Sequence, residues 1–352
     1  MSAPEIRIDQ LSGLRTILAP ARADRPAGFE PARSEEKGGE NCPFCEGREE
    51  RTPPEVHAVR PDGGEADTPG WTTRVVPNLY PALGDRSEAG GVDAAAAAGS
   101  GEAGAFASSG DPLLQSRRAG EPDLFASRPA VGGHEVIVNA PEHVTAMAAL
   151  SEERFAGAIA TWRERMRAHS EAAYVQLVVN EGASAGASLP HTHAQLYALP
   201  FVPAAVARER ERAGAYAERT AGGGLLGDVL VEEVRRRDRL VAIDDDAALI
   251  CPWASRTPYE LRVVPRRAAA RFEDDTAGVA MLQTALRLLA KRFDGSPDLN
   301  LWVGTAPHGA EHFHWHVDIA PRLTVKAGFE LGTGVDINVF PPERAAAELR
   351  DL

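Results

Sequence analysis

Two short patterns in the chain have residue types and spacings that can do chemistry. Cys42-Pro43-Phe44-Cys45 sets two thiols at the interval that lets both thiolates bind one zinc ion. The same interval serves redox exchange, but that use expects a helix N-terminus inside a βαβ pattern. Here Gly38-Gly39-Glu40-Asn41 before it and Glu46-Gly47-Arg48 after it read as a loop knuckle, so zinc is the better reading. It requires two more ligands, histidines by preference, from elsewhere in the chain. Cys251, alone before Pro252-Trp253, reads as a buried apolar residue. The second pattern is His-x-His, present as His191-Thr192-His193 and again as His314-Trp315-His316. On a strand both imidazoles of such a pair share a face, so they can hold one metal together or divide between a metal and the chemistry beside it. The first pair follows a loop of small residues, 180–190, whose backbone amides have room to approach an anion.

The elements that must position these residues follow from periodicity. Residues 133–138 are rich in β-branched side chains and read as a strand. Ser151 is a plausible N-cap for a helix with Phe155, Ile159, Trp162 and Met166 on one face. Residues 174–179 form a second, nearly all-apolar and therefore central strand, and the alternation from His191 to Leu199 a third. The second half repeats the plan. Ser127-Arg128-Pro129 and the strand after it have a counterpart in Ser255-Arg256-Thr257-Pro258 followed by 259–264. A helix over 276–293 comes next, with Val279, Leu282, Leu286 and Leu289 inward, then a strand opening at Asn300, then the second His-x-His. Agreement across several elements predicts an α+β fold in which two copies of one unit share an antiparallel sheet with helices packed on it. The first unit spans 1–203 and includes an extended arm over 6–33; the second spans 204–352. Residues from about 84 to 122 are Ala, Gly and Ser with almost no large apolar side chains, which predicts a disordered insertion.

Composition bounds the function classes. The 352 residues carry 38 Lys+Arg against 51 Asp+Glu, a net charge of −13, and 43% are hydrophobic. This is a globular balance that disfavours sequence-independent nucleic-acid binding. No apolar run is long enough for a membrane span and no basic-then-apolar leader opens the chain, so a cytoplasmic location is expected. The acidity also stands against phosphorylated substrates unless cations and donors are gathered locally.

The run Asn-x-Gly-Ala-Ser-Ala-Gly-Ala-Ser-x-x-His-x-His-x-Gln at 180–195 resembles the active-site strand of galactose-1-phosphate uridylyltransferases, histidine-triad proteins built from two fused triad-like units. The likeness extends over most of the chain: the arm at 9–26, the knuckle Cys42-Pro43-Phe44-Cys45 with Thr52-Pro53-Pro54-Glu55, the segment Val75-Val76-Pro77-Asn78-Leu79-Tyr80-Pro81, and the tail at 327–334. The resemblance implies that His193 is a nucleophile that takes a nucleotide from a nucleoside diphosphate sugar, expels hexose 1-phosphate, and passes the nucleotide to a phosphorylated acceptor in ping-pong fashion. Ser188 and Gln195 would donate to the phosphate oxygens. Asn78, Tyr80, Asn180 and Gly186 would hold the nucleotide, and Arg22 and Arg25 on the arm would reach phosphates, in some members across a homodimer interface. A structural zinc would be held by Cys42, Cys45, His143 and His191, with His134 as the rival fourth ligand. In some members the second His-x-His joins a second metal; Glu209, His314 and His316 match, but the expected earlier histidine falls at Val303, leaving His312 or His308 to substitute, or the pair simply to brace the sheet.

Uridylyl transfer between hexose 1-phosphates is the family default. Two departures point to another branch. Thr192 replaces the proline of the best-known His-Pro-His, and the small-residue loop is more similar to that of ADP-glucose phosphorylase, which uses an adenylyl-histidine and accepts phosphate. The tail at 330–338 would frame the hexose or phosphate. A reading from another class is a non-catalytic, zinc-stabilised nucleotide-binding protein, which gives no reason for an unliganded imidazole at His193. Zinc-dependent hydrolysis would need an open coordination position that four protein ligands do not leave.

Overall fold

The computed structural model describes residues 3–24, 38–84 and 129–352. The Ala/Gly/Ser-rich segment, apart from Gly84, and Arg25 lie outside the described residues.

Ten strands form one sheet in the order β3-β4-β5-β7-β6-β11-β12-β10-β9-β8. They are β3 (His57–Val59), β4 (Thr73–Pro77), β5 (Gly133–Val138), β6 (Tyr174–Glu181), β7 (His193–Leu199), β8 (Leu240–Ile243), β9 (Ala247–Ile250), β10 (Leu261–Pro265), β11 (Leu299–Gly304) and β12 (His316–Pro321). Every pairing within it is antiparallel. The order is symmetric about the β6–β11 pair: outward from it, β7 answers β12, β5 answers β10, β4 answers β9 and β3 answers β8. At the centre Asn180 lies opposite Asn300. The fold is α+β, two triad-like units sharing one antiparallel sheet.

Strand alternation sorts the side chains onto two faces. On one face Val75, Ile137, Leu177, Val179, Ala194 and Leu196 join Leu261, Val263, Leu301, Val303, Val317 and Ile319 in a single buried apolar cluster. Helix α1 (Glu152–Ala168) covers the first half of it and α4 (Val279–Arg292) takes part from the second. Helix α1 forms where its sequence asks. Ser151 accepts the Arg154 N–H at 3.2 Å, Glu152 and Glu153 face the positive end of the helix dipole, and Phe155, Ile159, Trp162 and Met166 are buried. Each such side chain contributes roughly 1.5–3 kcal/mol by leaving water. Helix α4 is shorter than the 276–293 expected, because Gly278 sits at its start in the left-handed region (φ 81°) and Phe293 caps its end.

The arm is a hairpin, β1 (Glu5–Ile8) with β2 (Arg15–Leu18), extended in parallel by β13 (Asp336–Asn338). It docks on the second half of the chain. Arg7 donates to the Trp253 carbonyl and pairs with Glu343, and Thr16 donates to the Ala254 carbonyl. Arg212, on helix α2 (Ala204–Arg219), donates to the Gln10 carbonyl. Among the described residues no helix is long and apolar enough to cross a membrane.

Candidate active site and metal centre

The face of the sheet turned away from α1 is the polar one. Cross-strand registers place Gln195 opposite Val136 and Val178, and Asn300 opposite both Asn180 and Ala320, so polar groups of both halves line a single surface.

Both His-x-His pairs straddle a strand start: β7 begins at His193 and β12 at His316, so the first histidine of each pair lies just before the strand rather than on it. The reason is visible in the bonds each ring makes. His191 Nε2 donates to the Ala140 carbonyl at 2.8 Å, and His314 Nε2 to the Pro265 carbonyl at 2.9 Å. In each pair the second imidazole then donates Nδ1–H to the carbonyl of the first, at 2.7 Å for His193 and 3.3 Å for His316. His193 is thereby held in one tautomer, with Nε2 carrying the lone pair and bonded to no described residue. Burial lowers its pKa, opposed in part by the His191 carbonyl, so the ring is neutral at physiological pH.

His191 Nδ1 is left to face the sulfurs. It lies 3.5 Å from Cys42 Sγ and 3.7 Å from Cys45 Sγ, and His143 Nδ1 is 3.5 Å from Cys45 Sγ. All four donor atoms lie within 4.8 Å of one another. For bonds of about 2.3 Å to sulfur and 2.0–2.1 Å to nitrogen, the S···N edge of a tetrahedron is about 3.6 Å, so the donor set fits a zinc ion. Without a cation the Cys45 thiol disfavours ionisation: burial, then the Cys42 neighbour, pushes it up to about 11. The Ala140 carbonyl on His191 Nε2 is the outer contact expected of a zinc-bound imidazole. His134 is not part of this group. Among the described residues these four are the sole cluster of this kind.

The second expected metal site is not assembled. His316 Nδ1 lies 3.8 Å from Glu209 Oε1, but His314 Nδ1 is buried with no hydrogen-bond partner among the described residues and does not join a cluster with them. Val303, where a further histidine was expected, is fully buried, and His308 and His312 are exposed. The cation already there is Arg262, bonded through two nitrogens to Asp318 at 2.6 and 3.0 Å. Burial, then Arg262, drives His316 down to about 4, while burial pushes Glu209 up to about 8, so both are neutral. These histidines brace the second half of the sheet.

The loop after β6 departs from expectation in one respect. Its amides were expected to meet an anion, but those of residues 184–187 are used internally: Ser184 N–H goes to Asp298 Oδ2, Ala185 and Ala187 N–H to the Gly182 carbonyl, and Gly186 N–H to the Ala183 carbonyl. Those four amides are thus not offered to an anion. Ser188 and Gly186 are exposed, and Gly186 (φ 88°) has nothing within 4 Å of where a Cβ would stand, so the surface before it is open. Gly182 (φ 82°) is required, since a Cβ there would lie 1.9 Å from Asp298 Oδ1. Asn300 Nδ2 bridges Asn180 Oδ1 and the Ala185 carbonyl, both at 2.8 Å. Asp298 and Asn300 thus hold the loop from the other half of the chain; nothing near 180–190 in sequence signals them.

Gln195 shares a strand face with His193. Asn78, one residue beyond β4, sits beside His134, and its Oδ1 accepts the Tyr80 N–H; the Tyr80 side chain is largely exposed. Arg22, on the arm, makes no ion pair among the described residues and is not among the contacts of His193 or Gln195. A cavity of about 170 Å³ lies beside Asn300 and Trp302, lined by Arg256, Arg322, Lys326 and, from the tail, Glu330 and Asp336.

Thr192, legible in sequence only as a departure, proves to be a junction. Its N–H donates to the Val144 carbonyl at 2.7 Å, a bond a proline could not make. Its hydroxyl accepts from Asn139 Nδ2, whose Oδ1 accepts from Trp162 Nε1, and donates to Glu181 Oε1. Glu181 is fully buried with Oε2 unpartnered, and burial pushes its pKa up to about 7. A carboxyl with a higher pKa folded than unfolded stabilises the fold most below about pH 4.5, and that contribution is lost as pH rises through about 7. Glu181→Gln should flatten the fall in stability between pH 5 and 8 and raise stability at pH 8 by up to roughly 3 kcal/mol, read from denaturant unfolding. An unchanged pH slope in the variant would refute this origin.

The profile of the galactose-1-phosphate uridyl transferase N-terminal domain matches residues 105–203. The chain is 28% identical to ADP-glucose phosphorylase of Arabidopsis thaliana over 99% of its own length and 93% of that protein. It is also 28% identical to galactose-1-phosphate uridylyltransferase of Thermotoga maritima, over 64% of this chain and 76% of that one. A crystal structure of the Arabidopsis ADP-glucose phosphorylase with bound ADP-glucose superposes with a TM-score of 0.77 at 25% identity, covering 99% of both chains. With its two-unit sheet and its Cys42/Cys45/His143/His191 cluster, the chain is similar in sequence and fold to proteins of the galactose-1-phosphate uridylyltransferase family.

Proposed function

We propose that the protein transfers a nucleotide from a nucleotide-sugar through His193, and that its reaction is that of an ADP-glucose phosphorylase rather than of a uridylyltransferase. His193 carries the first part: a buried neutral imidazole, fixed by the His191 carbonyl, with Nε2 unengaged on the polar face of the sheet. Nε2 attacks the α-phosphorus, the bond to the bridging oxygen breaks, and hexose 1-phosphate leaves with that oxygen. Phosphate then attacks the phosphoramidate and departs as nucleoside diphosphate, restoring the imidazole. Ser188 and Gln195 donate to the phosphate oxygens as charge shifts. Asn78, Tyr80, Asn180 and Gly186 hold the nucleotide, Arg22 contributes charge, and the cavity beside the tail takes the hexose. Zinc at Cys42, Cys45, His143 and His191 is structural, and the two units divide at 203/204.

The choice of adenylyl over the uridylyl default is supported by similarity to ADP-glucose phosphorylase over 99% of this chain, against 64% of it for the uridylyltransferase. Incubation with ADP-glucose or UDP-glucose, each labelled at the α-phosphorus and without acceptor, tests both parts. Acid-labile label on the protein is expected from ADP-glucose, released as ADP by phosphate. Label from UDP-glucose alone would restore the uridylyl reading, and label from neither would sink the covalent mechanism.

A further inference from the structure

His134, one of the sequence candidates for zinc, occupies a different place. Its ring is buried, stacked on Tyr197 at 4.1 Å between centroids, and meets three polar groups. Nδ1 faces the backbone N–H of Ala82 at 3.1 Å; Nε2 faces Gln195 Oε1 at 3.1 Å and Asn78 Nδ2 at 3.1 Å. A neutral imidazole accepts at one nitrogen and donates at the other. A backbone N–H can only donate, so Nδ1 must accept from Ala82 and Nε2 must carry the proton.

That assignment decides the orientation of Gln195. The Nε2–H of His134 needs an acceptor, so Gln195 must present Oε1 to it; Tyr197 also donates to that oxygen, at 2.8 Å. The amide nitrogen of Gln195 is then turned the other way and has no partner among the described residues. Asn78 is fixed independently of the ring: its oxygen accepts the Tyr80 N–H, which turns its nitrogen toward His134.

We propose that His134 is a positioning residue which, through its Ala82-fixed tautomer, holds the Gln195 amide nitrogen toward the nucleotide phosphate. The inference rests on the function proposed above. A glutamine that must turn over before donating costs reorganisation at the moment of reaction, whereas one already turned does not.

A double-mutant cycle on the full chain tests it, with the rate of covalent labelling from ADP-glucose as readout. His134→Phe keeps the stack on Tyr197 but removes the donor; Gln195→Ala removes the donor it positions. Each single change should slow labelling by about 10²-fold, and the double variant by no more than about threefold beyond Gln195→Ala, since a positioned group cannot be lost twice. His134→Gln, which restores an N–H near the Nε2 position, should recover labelling to within about tenfold of the unmodified protein. Losses that multiply to about 10⁴, a wild-type rate in His134→Phe, or no recovery in a folded His134→Gln would each overturn the role of His134. If the unmodified protein takes no label, it is the covalent mechanism that fails.

Discussion

His193→Ala should abolish covalent labelling by nucleotide-sugar and lower turnover by on the order of 10⁴-fold or more, while leaving the fold and the bound zinc in place. Among the described residues the ring makes a single hydrogen bond, Nδ1–H to the His191 carbonyl, and its loss leaves that carbonyl one bond short without opening the apolar core on the opposite face of the sheet. The proposed chemistry, in contrast, loses the atom assigned to bond phosphorus. The comparison with Gln195→Ala is informative: a donor to the developing charge is worth about 10²–10³ in rate, a nucleophile much more. Parallel measurement of turnover, acid-labile label and thermal unfolding separates the two. Residual labelling in His193→Ala would move the nucleophile elsewhere, and a collapse of the melting temperature would show that the imidazole matters mainly to the fold.

The second large effect is expected at the metal. Cys42→Ser, or exhaustive chelation of the unmodified protein, should remove half or more of the bound zinc and lower the melting temperature by roughly 10 °C or more. Chelation would leave two thiols and two imidazoles crowded within 4.8 Å, with Cys42 and His191 buried, and Cys42→Ser would remove one of the four donors. Activity should fall with the metal although no ligand touches substrate in the proposed mechanism. His191 is both a ligand and the residue whose carbonyl fixes the His193 tautomer. Loosening one ring therefore frees the other. The expected kinetic signature is a drop in kcat larger than any rise in KM. Metal analysis showing full zinc in Cys42→Ser, or full activity after its removal, would contradict this coupling.

The sheet and both helices over it were legible because their signal is local. Alternation places Ile137, Leu177 and Leu196 inward, and the Ser151 cap with its 3.6-residue stripe marks α1. Half of the four-donor cluster was legible for the same reason, since Cys42 and Cys45 announce each other. What stayed hidden depends on partners remote in sequence. Asp298 is 114 residues from the Ser184 it bonds, and a lone aspartate before a strand has nothing to distinguish it. Gly182 reads as one of several small residues until a carboxylate is found where its Cβ would be. His134 could be read as a ligand because residue type alone does not say which way an imidazole faces, and Thr192 as a mere replacement because its four hydrogen bonds reach three other segments. The amides at 184–187 misled in the opposite sense: small residues do leave room for an anion, but here the loop folds back on itself.

The grip of Asp298 and Asn300 on the loop at 182–187 ties the two halves of the sheet together beyond the strand pairing itself. The second half is the mould in which the first half's loop is cast. Neither half is a spare: the loop ahead of His193 takes its shape from side chains of the other half, so a first half cut away from the second would lose that shape.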